Sequence, residues 1–598
     1  MGAYQSSQSE WSKNKYLLMM IDSKSQIPKT DPFWDELLSY NPRVTLENHG
    51  KDVYNYSYEL AKKWNTTNKN NENVSVLLQI FLESADKLPY NEEADFDSHE
   101  VDCLRPYNAL FILRVFLHYV VQMHETLMLK QLTQVRASAS PQEEDTTELI
   151  DVLLHIVIDL PVREKTYLLH LECMNMLLVL LSTEFYRRGC TIEVYDMIFE
   201  HKRGDELSKI LLKRFTQQHK MPHPDKLYSS SGGSIILDIA ADIIGYFMPH
   251  ENEDAPLART ALLLLNVLIN HQDDWQVNRY SLYLHSLSDG LEDICKTIFS
   301  VMDKEETSLL LYNLLERNSS FKPLMVAQND IESWMLPMLQ TIYKASDASG
   351  HHVYMSLIIL LILSEDREFN KKIHTTMTKN VTWFVDRHLG EISLGGLTIL
   401  VTARTVQYNL LKMRDEYLHS NCLAALSNMS SHFSNLHPYV CQRLVGLFEV
   451  LAKTYNRTKH ELLPIERALR IILEVLNSCL SNQLASNPNL IYTLLYKKGI
   501  FEPFRNNPAF NDIINNLDQV LEYFTSTLEK TNDPCNDVNV VLKIIIEASA
   551  KWPSHRLQKF PELRFRYIEE DSTGEFFIPY VWKLVSQYSY VHGTIKDD

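Results

Sequence analysis

None of the eight cysteines, at positions 103, 173, 190, 295, 422, 441, 479 and 535, stands in a C-x-x-C pair, and their wide spacing gives no disulfide framework. That pattern points to a reducing compartment, with the thiols acting as small buried apolar side chains. Long apolar runs are also missing. The most apolar windows are residues 109–123, 261–269 and 356–363, and none reaches the roughly 18 uninterrupted apolar residues of a membrane span. Arg114 and His118 break the first window and the other two are short, so all three are expected to be buried helices. Positive charge is in deficit as well, with 58 Lys and Arg against 76 Asp and Glu, a net charge of −18 and a pI near 5.7. Such a chain is not expected to take nucleic acid as its main ligand or to lie flat on anionic lipid. Any membrane contact must then be local. The first ten residues lack the basic-then-apolar layout of a secretory signal, which leaves sequons such as Asn65-Thr66-Thr67 and Asn380-Val381-Thr382 idle. Sustained period-two alternation is scarce, so a sheet is not expected.

What the chain has in abundance is helical spacing. Ile471, Ile472, Val475, Leu476, Cys479 and Leu480 draw an apolar stripe down one helix face, and the apolar positions from Phe510 to Leu528 draw another. Proline falls where its fixed φ and missing N–H are tolerated, at helix starts: Asn487-Pro488 and Asn507-Pro508 each offer a capping side chain followed by proline. Lys497-Lys498-Gly499 is expected to close the helix between them. From Pro464 to Pro508 is 44 residues and from Pro488 to Pro534 is 46, the period of HEAT and armadillo-type hairpins. The fold class expected is therefore all-α, an irregular solenoid-like array of helical hairpins. Two polar breaks, at 130–147 and 217–234, punctuate it. They divide the chain into an exposed tail at 1–30, a helical part at 31–129, a helical segment at 148–216 and a C-terminal array at 235–598.

The start of the chain carries a second signal. With Met1 removed, Gly2-Ala3-Tyr4-Gln5-Ser6 fits the acceptor pattern for N-myristoylation. One such chain gives only marginal, reversible membrane binding, with an association constant on the order of 10⁴ M⁻¹. Lys13, Lys15, Lys24 and Lys29 outnumber Glu10 and Asp22 nearby and add a weak basic contribution. A further contact must choose the membrane.

Other chemistry is thinly represented. Residues 229–234 are rich in Ser and Gly but lack the G-K-[ST] of a phosphate loop. His351-His352 has no identifiable third metal ligand, and Glu365, Asp366 and Glu368 lack the ligand spacing of a calcium loop, which leaves them as a helix start. Cys422 and Cys441 lie near His419, His432 and His437 without a catalytic motif. No cofactor and no small-molecule substrate is indicated. Residues 559–567 alternate cations with aromatics, a patch expected to be structural on so acidic a chain. Phe576, Phe577, Tyr580 and Trp582 form an aromatic run expected mainly to pack internally, with partner docking as its second use.

Several long strings nevertheless resemble the dymeclin family. They are HHVYMSLIILLIL at 351–363, EISLG at 391–395, RTVQYN at 404–409, YLHSNCLAALSNMS at 417–430, the stretch 487–497, and 576–582. Before residue 305 the likeness thins to short matches at 31–34 and 108–112, and the segment after Ser234, interrupted by Asp238 and Asp242, resembles the family poorly. The resemblance implies an all-helical, non-catalytic peripheral protein of the cytoplasm and the cytosolic face of the Golgi, needed for Golgi organisation and vesicle traffic. It also implies lipidation at Gly2, with Golgi or vesicle coat and tether proteins as partners. The competing readings are a soluble helical-repeat transport adaptor, and a regulator or enzyme whose site is not visible in the sequence.

Overall fold

The structure, a computed structural model, describes residues 15–39, 50–67, 72–91, 102–123, 149–183, 193–222, 255–272, 274–345, 350–457, 462–530, 537–553, 557–569 and 572–589. The chain divides into two compact units, one of residues 1–286 with 572–598 and one of residues 287–571. The expected array from 235 to 598 is therefore shared between them.

The described helices of the first unit begin with α1 (Lys15–Asp22), α2 (Phe33–Leu38), α3 (Gly50–Thr67), α4 (Asn73–Asp86) and α5 (Leu104–Gln122). They continue with α6 (Leu149–Asp159), α7 (Tyr167–Leu181), α8 (Glu193–Phe199), α9 (Gly204–Gln217), α10 (Pro256–Ile269) and α11 (Arg279–Ser286). The second unit holds α12 (Leu291–Ser300), α13 (Glu305–Arg317), α14 (Phe321–Ala327), α15 (Ile331–Tyr343), α16 (Gly350–Ser364) and α17 (Arg367–Thr375). After two short strands, β1 (Met377–Lys379) and β2 (Glu391–Ser393), come α18 (Leu394–Tyr408), α19 (Glu416–Met429) and α20 (Pro438–Arg457). The unit ends with α21 (Leu462–Gln483), α22 (Pro488–Tyr496), α23 (Asn511–Glu529) and α24 (Val538–Ser549), and α25 (Gly574–Tyr588) returns to the first unit.

All three apolar windows lie in buried helices, α5, α10 and α16. In the first unit α5 is enclosed by α3, α4 and α7. Arg114 survives there because Glu172 of α7 meets it, each side chain no more than 5% exposed. Two charges this deep are tolerated only as a hydrogen-bonded pair. The expected exposed tail at 1–30 is corrected over residues 15–30. Leu17, Met20 and Ile21 are buried, the Ile27 amide donates to Asn73 Oδ1 at 2.7 Å, and Asn73 Nδ2 donates to the Met20 carbonyl. Lys29 is paired with Glu83, which removes part of the basic contribution expected of the tail.

The second unit is built in two layers. In one, α13, α16, α19, α21 and α23 pack in succession; in the other, α15, α18, α20, α22 and α24 do the same, and neighbours such as α18 with α19 and α20 with α21 join the layers. This is the hairpin array that the proline spacing indicates. Its first member, α13 at Glu305, lies inside the stretch 235–598 expected for the array. The β1–β2 pair, antiparallel with Thr378 opposite Ile392, was not expected; three-residue strands are too short to show alternation.

Two expected helix ends differ in detail. Asn487 does precede Pro488, but its side-chain oxygen accepts from the Leu436 amide rather than capping α22, and its Nδ2 donates to the Phe433 and Gln483 carbonyls. Asn507 makes a tight turn through the Ala509 amide, and α23 starts four residues later, at Asn511. After Tyr496 the chain continues as a 3₁₀ helix, Lys498–Phe504, so Gly499 does not turn left-handed.

Candidate functional site

Gly2 and residues 229–234 lie outside the described residues, as do Cys190 and Cys535. The aromatic run is described fully. It belongs to α25, which packs on α10, and Phe577, Tyr580 and Trp582 are buried there while Phe576 is half-buried. The Phe576 and Phe577 rings meet edge to face at 5.3 Å. Arg259 of α10 lies 4.2 Å from the centre of the Tyr588 ring. A buried ring offers no surface to a partner, so Phe577, Tyr580 and Trp582 serve as core of the first unit.

The remaining sequence candidates resolve into packing. His352 is buried with Nε2 at 3.0 Å from Ser308 Oγ, and burial pushes it down to about 4. Asp366 caps α17, accepting from the amides of Glu368 at 2.8 Å and Phe369 at 3.0 Å, and Glu368 pairs with Lys371. Cys422 and Cys441 are buried, which raises both thiols, Cys441 to about 12. His419 holds the Asp415 carbonyl and Asn409 rather than a thiol. Among the described residues no three His, Cys, Asp or Glu side chains group to hold a metal, and no helix is long and apolar enough to cross a membrane.

One segment stands apart from this packing. Residues 557–569, which contain the cation–aromatic patch, have no regular secondary structure and cross the layer formed by α23, α21, α19, α16 and α13. Asn516 of α23 grips the backbone of Gln558 on both sides: Nδ2 donates to its carbonyl at 2.8 Å and Oδ1 accepts from its amide at 2.9 Å. Asn428 of α19 grips Phe565 in the same way, both bonds at 2.8 Å. Beyond it the Tyr567 amide donates to Glu365 at 3.3 Å. At the far end Glu569 takes two hydrogen bonds from Arg317 of α13, at 2.7 and 2.5 Å, and one from the Tyr312 hydroxyl at 2.7 Å. The Tyr312 and Tyr567 hydroxyls lie 3.2 Å apart, and burial raises both phenols. Arg317, although 8% exposed, stays charged because Glu569 faces it.

Sequence reasoning missed Asn428, Asn516, Arg317 and Glu569. A signal existed. Asn428, Asn477 and Asn516 recur at intervals of 49 and 39 residues, one per hairpin of the same layer, and Asn516 Nδ2 also donates to Asn477 Oδ1 at 3.0 Å. A buried amide repeated on a stripe that is otherwise apolar marks a ladder that must hold something polar.

The comparison with known proteins covers both units. The sequence model of the family described as "Dymeclin: Dyggve-Melchior-Clausen syndrome protein" matches residues 1–584. Dymeclin of Drosophila pseudoobscura pseudoobscura is 36% identical, the match covering 99% of this chain and 98% of that protein. Dymeclin of Mus musculus is 34% identical over 98% of this chain and 97% of its own length. Among solved structures an engineered protein covers 88% of this chain at 12% identity with a TM-score of 0.29, too low to bear on the fold. With the family model spanning both units and relatives above 30% identity matching nearly end to end, the chain belongs to the dymeclin family.

Proposed function

We propose that this chain is a non-catalytic scaffold, N-myristoylated at Gly2 and held on the cytosolic face of Golgi membranes, where it supports Golgi organisation and vesicle traffic by binding coat or tether proteins. The observation that carries this reading is membership of the dymeclin family over residues 1–584 together with the acceptor pattern Gly2 to Ser6. A single acyl chain binds membrane weakly, so residence depends on protein partners as well as on lipid. The two-layer array suits such a role, because stacked hairpins expose a long continuous surface. The net charge of −18 keeps the body off anionic lipid and leaves attachment to the acylated end.

Metabolic labelling with an alkyne analogue of myristate tests the anchor. Label on the wild-type chain that disappears in Gly2→Ala is the expected result. An unlabelled wild-type chain overturns the proposal.

A further inference from the structure

Residues 557–569 have the geometry of a bound ligand rather than of a fold element. Leu557 is buried, but residues 558, 559, 561–564, 566 and 568 are exposed, so side-chain burial contributes little to holding the segment. Among the described residues its backbone makes no hydrogen bond to another backbone group. Side chains hold it instead, the helical Asn516 and Asn428 each reading one residue's N–H and C=O, and Glu365, in the turn after α16, a third amide. An amide that pairs with backbone reads the extended conformation and not the sequence. Any extended chain that runs the same way satisfies it equally well.

The fit of the segment is also incomplete. Between the two asparagine clamps its backbone roofs, with residues 557–563, a cleft of about 590 Å³ floored by Ser430, Glu474, Asn477 and Ser478, and Glu562 reaches across to Arg367 at 3.9 Å. Asn477, the middle rung of the ladder, lines this cleft and makes no hydrogen bond to the segment. Selectivity sits at the end where the contacts alternate. Tyr567 and Glu569 face Tyr312 and Arg317, whereas Arg564, Arg566 and Ile568 point to solvent.

We propose that the face formed by α13, α16, α19, α21 and α23 is a docking groove for an extended segment of a partner protein that carries an aromatic residue and a carboxylate two positions apart. Residues 557–569 occupy this groove in cis until such a segment displaces them. The inference stands on the geometry of the second unit and does not depend on Golgi residence or on acylation.

The test uses the full chain and a fluorescein-labelled peptide of residues 557–569, with binding read by anisotropy. In the double variant Tyr567→Ser and Glu569→Ser, the cis segment loses its selective contacts and the groove stays intact. That variant binds the peptide at least roughly ten-fold more tightly than wild type, a difference of about 1.4 kcal/mol. Adding Arg317→Met cancels the gain. Equal binding by wild type and double variant, or indifference to Arg317→Met in a chain with an unchanged circular dichroism spectrum, overturns the proposal. Competition by unlabelled wild-type chain as effective as by free peptide would identify a second copy as the occupant and overturn the partner assigned here. Hydrogen exchange on the wild-type chain decides the matter even if the variants fail to fold. The Gln558 and Phe565 amides open at a rate well above global unfolding if the segment is displaceable, and exchange limited to global unfolding rules the proposal out.

Discussion

Gly395 lies against the imidazole of His374: a methyl group built on Gly395 would sit 2.7 Å from His374 Nε2 and closer still to Cε1 and Nδ1. The glycine is the second residue of α18, one before Gly396, whose amide donates to the capping Ser393 Oγ at 3.0 Å. It is the space above Gly395 that lets β2 turn into α18 over the buried ring. Gly395→Ala is therefore expected to destabilise the second unit by about 1–3 kcal/mol through overpacking. Urea denaturation measures this, and the loss should shrink when His374→Ala is added, because the two side chains compete for one volume.

The same histidine belongs to a group that makes stability depend on pH. Burial pushes His374 and His170 down to about 3, and His352 and His271 down to about 4, from an ordinary value of 6.5. In the unfolded chain these rings take up protons below about pH 6.5, while in the folded chain they stay neutral. Their contribution is therefore complete above pH 6.5 and is lost as the pH falls toward 4, at up to about 1.4 kcal/mol per pH unit for each ring. Half-buried Glu316 and Glu474, whose carboxyls are raised by burial, act in the opposite sense and reduce the net slope. Urea midpoints between pH 7.5 and 5 should fall, and His352→Gln should flatten the fall.

Breaking the pair Arg114–Glu172 gives a third test. Glu172→Ala leaves a guanidinium buried without its partner and should cost about 3–5 kcal/mol in the first unit, whereas Arg114→Met with Glu172→Leu should cost far less. Thermal melts of the two variants side by side measure the difference. Equal losses would show that the pair contributes little beyond its volume.

The last described helix supplies a fourth. Tyr580 and Trp582 of α25 are 0% and 4% exposed within the first unit, so Trp582→Ala should destabilise that unit by about 3–5 kcal/mol. Proteolysis followed by mass spectrometry should then show new cuts between residues 255 and 286 before any in the second unit. Cleavage confined to residues 572–589 would mean that α25 is dispensable to the core.

The legibility of these features in the sequence follows their range. The apolar stripes of α21 and α23, and the windows buried in α5, α10 and α16, are local patterns, and periodicity alone places them. The return of α25 to the first unit is not legible, because pairing between residues 256–269 and 574–588 is decided by packing across some 300 residues. The strand pair 377–379 and 391–393 is too short to alternate. Along 559–567 the alternating cations are the conspicuous feature of the sequence, yet the exposed arginines carry no grip. The segment is held through Asn428, Asn516 and Arg317, which in sequence stand beside other polar residues, Ser427, Asn515 and Glu316, and carry no mark of their own. Only their placement on successive helices of one layer gives them a shared partner.

The reading of this chain as a scaffold tethered weakly by its amino end has one direct measurement. The wild-type chain and Gly2→Ala, each fused at the C-terminus to a fluorescent protein and expressed at equal level, are imaged against a Golgi marker. Loss of Golgi signal to the cytosol in Gly2→Ala, with an unchanged thermal melt of the purified variant, is the predicted result. Equal Golgi occupancy by both chains would contradict the account.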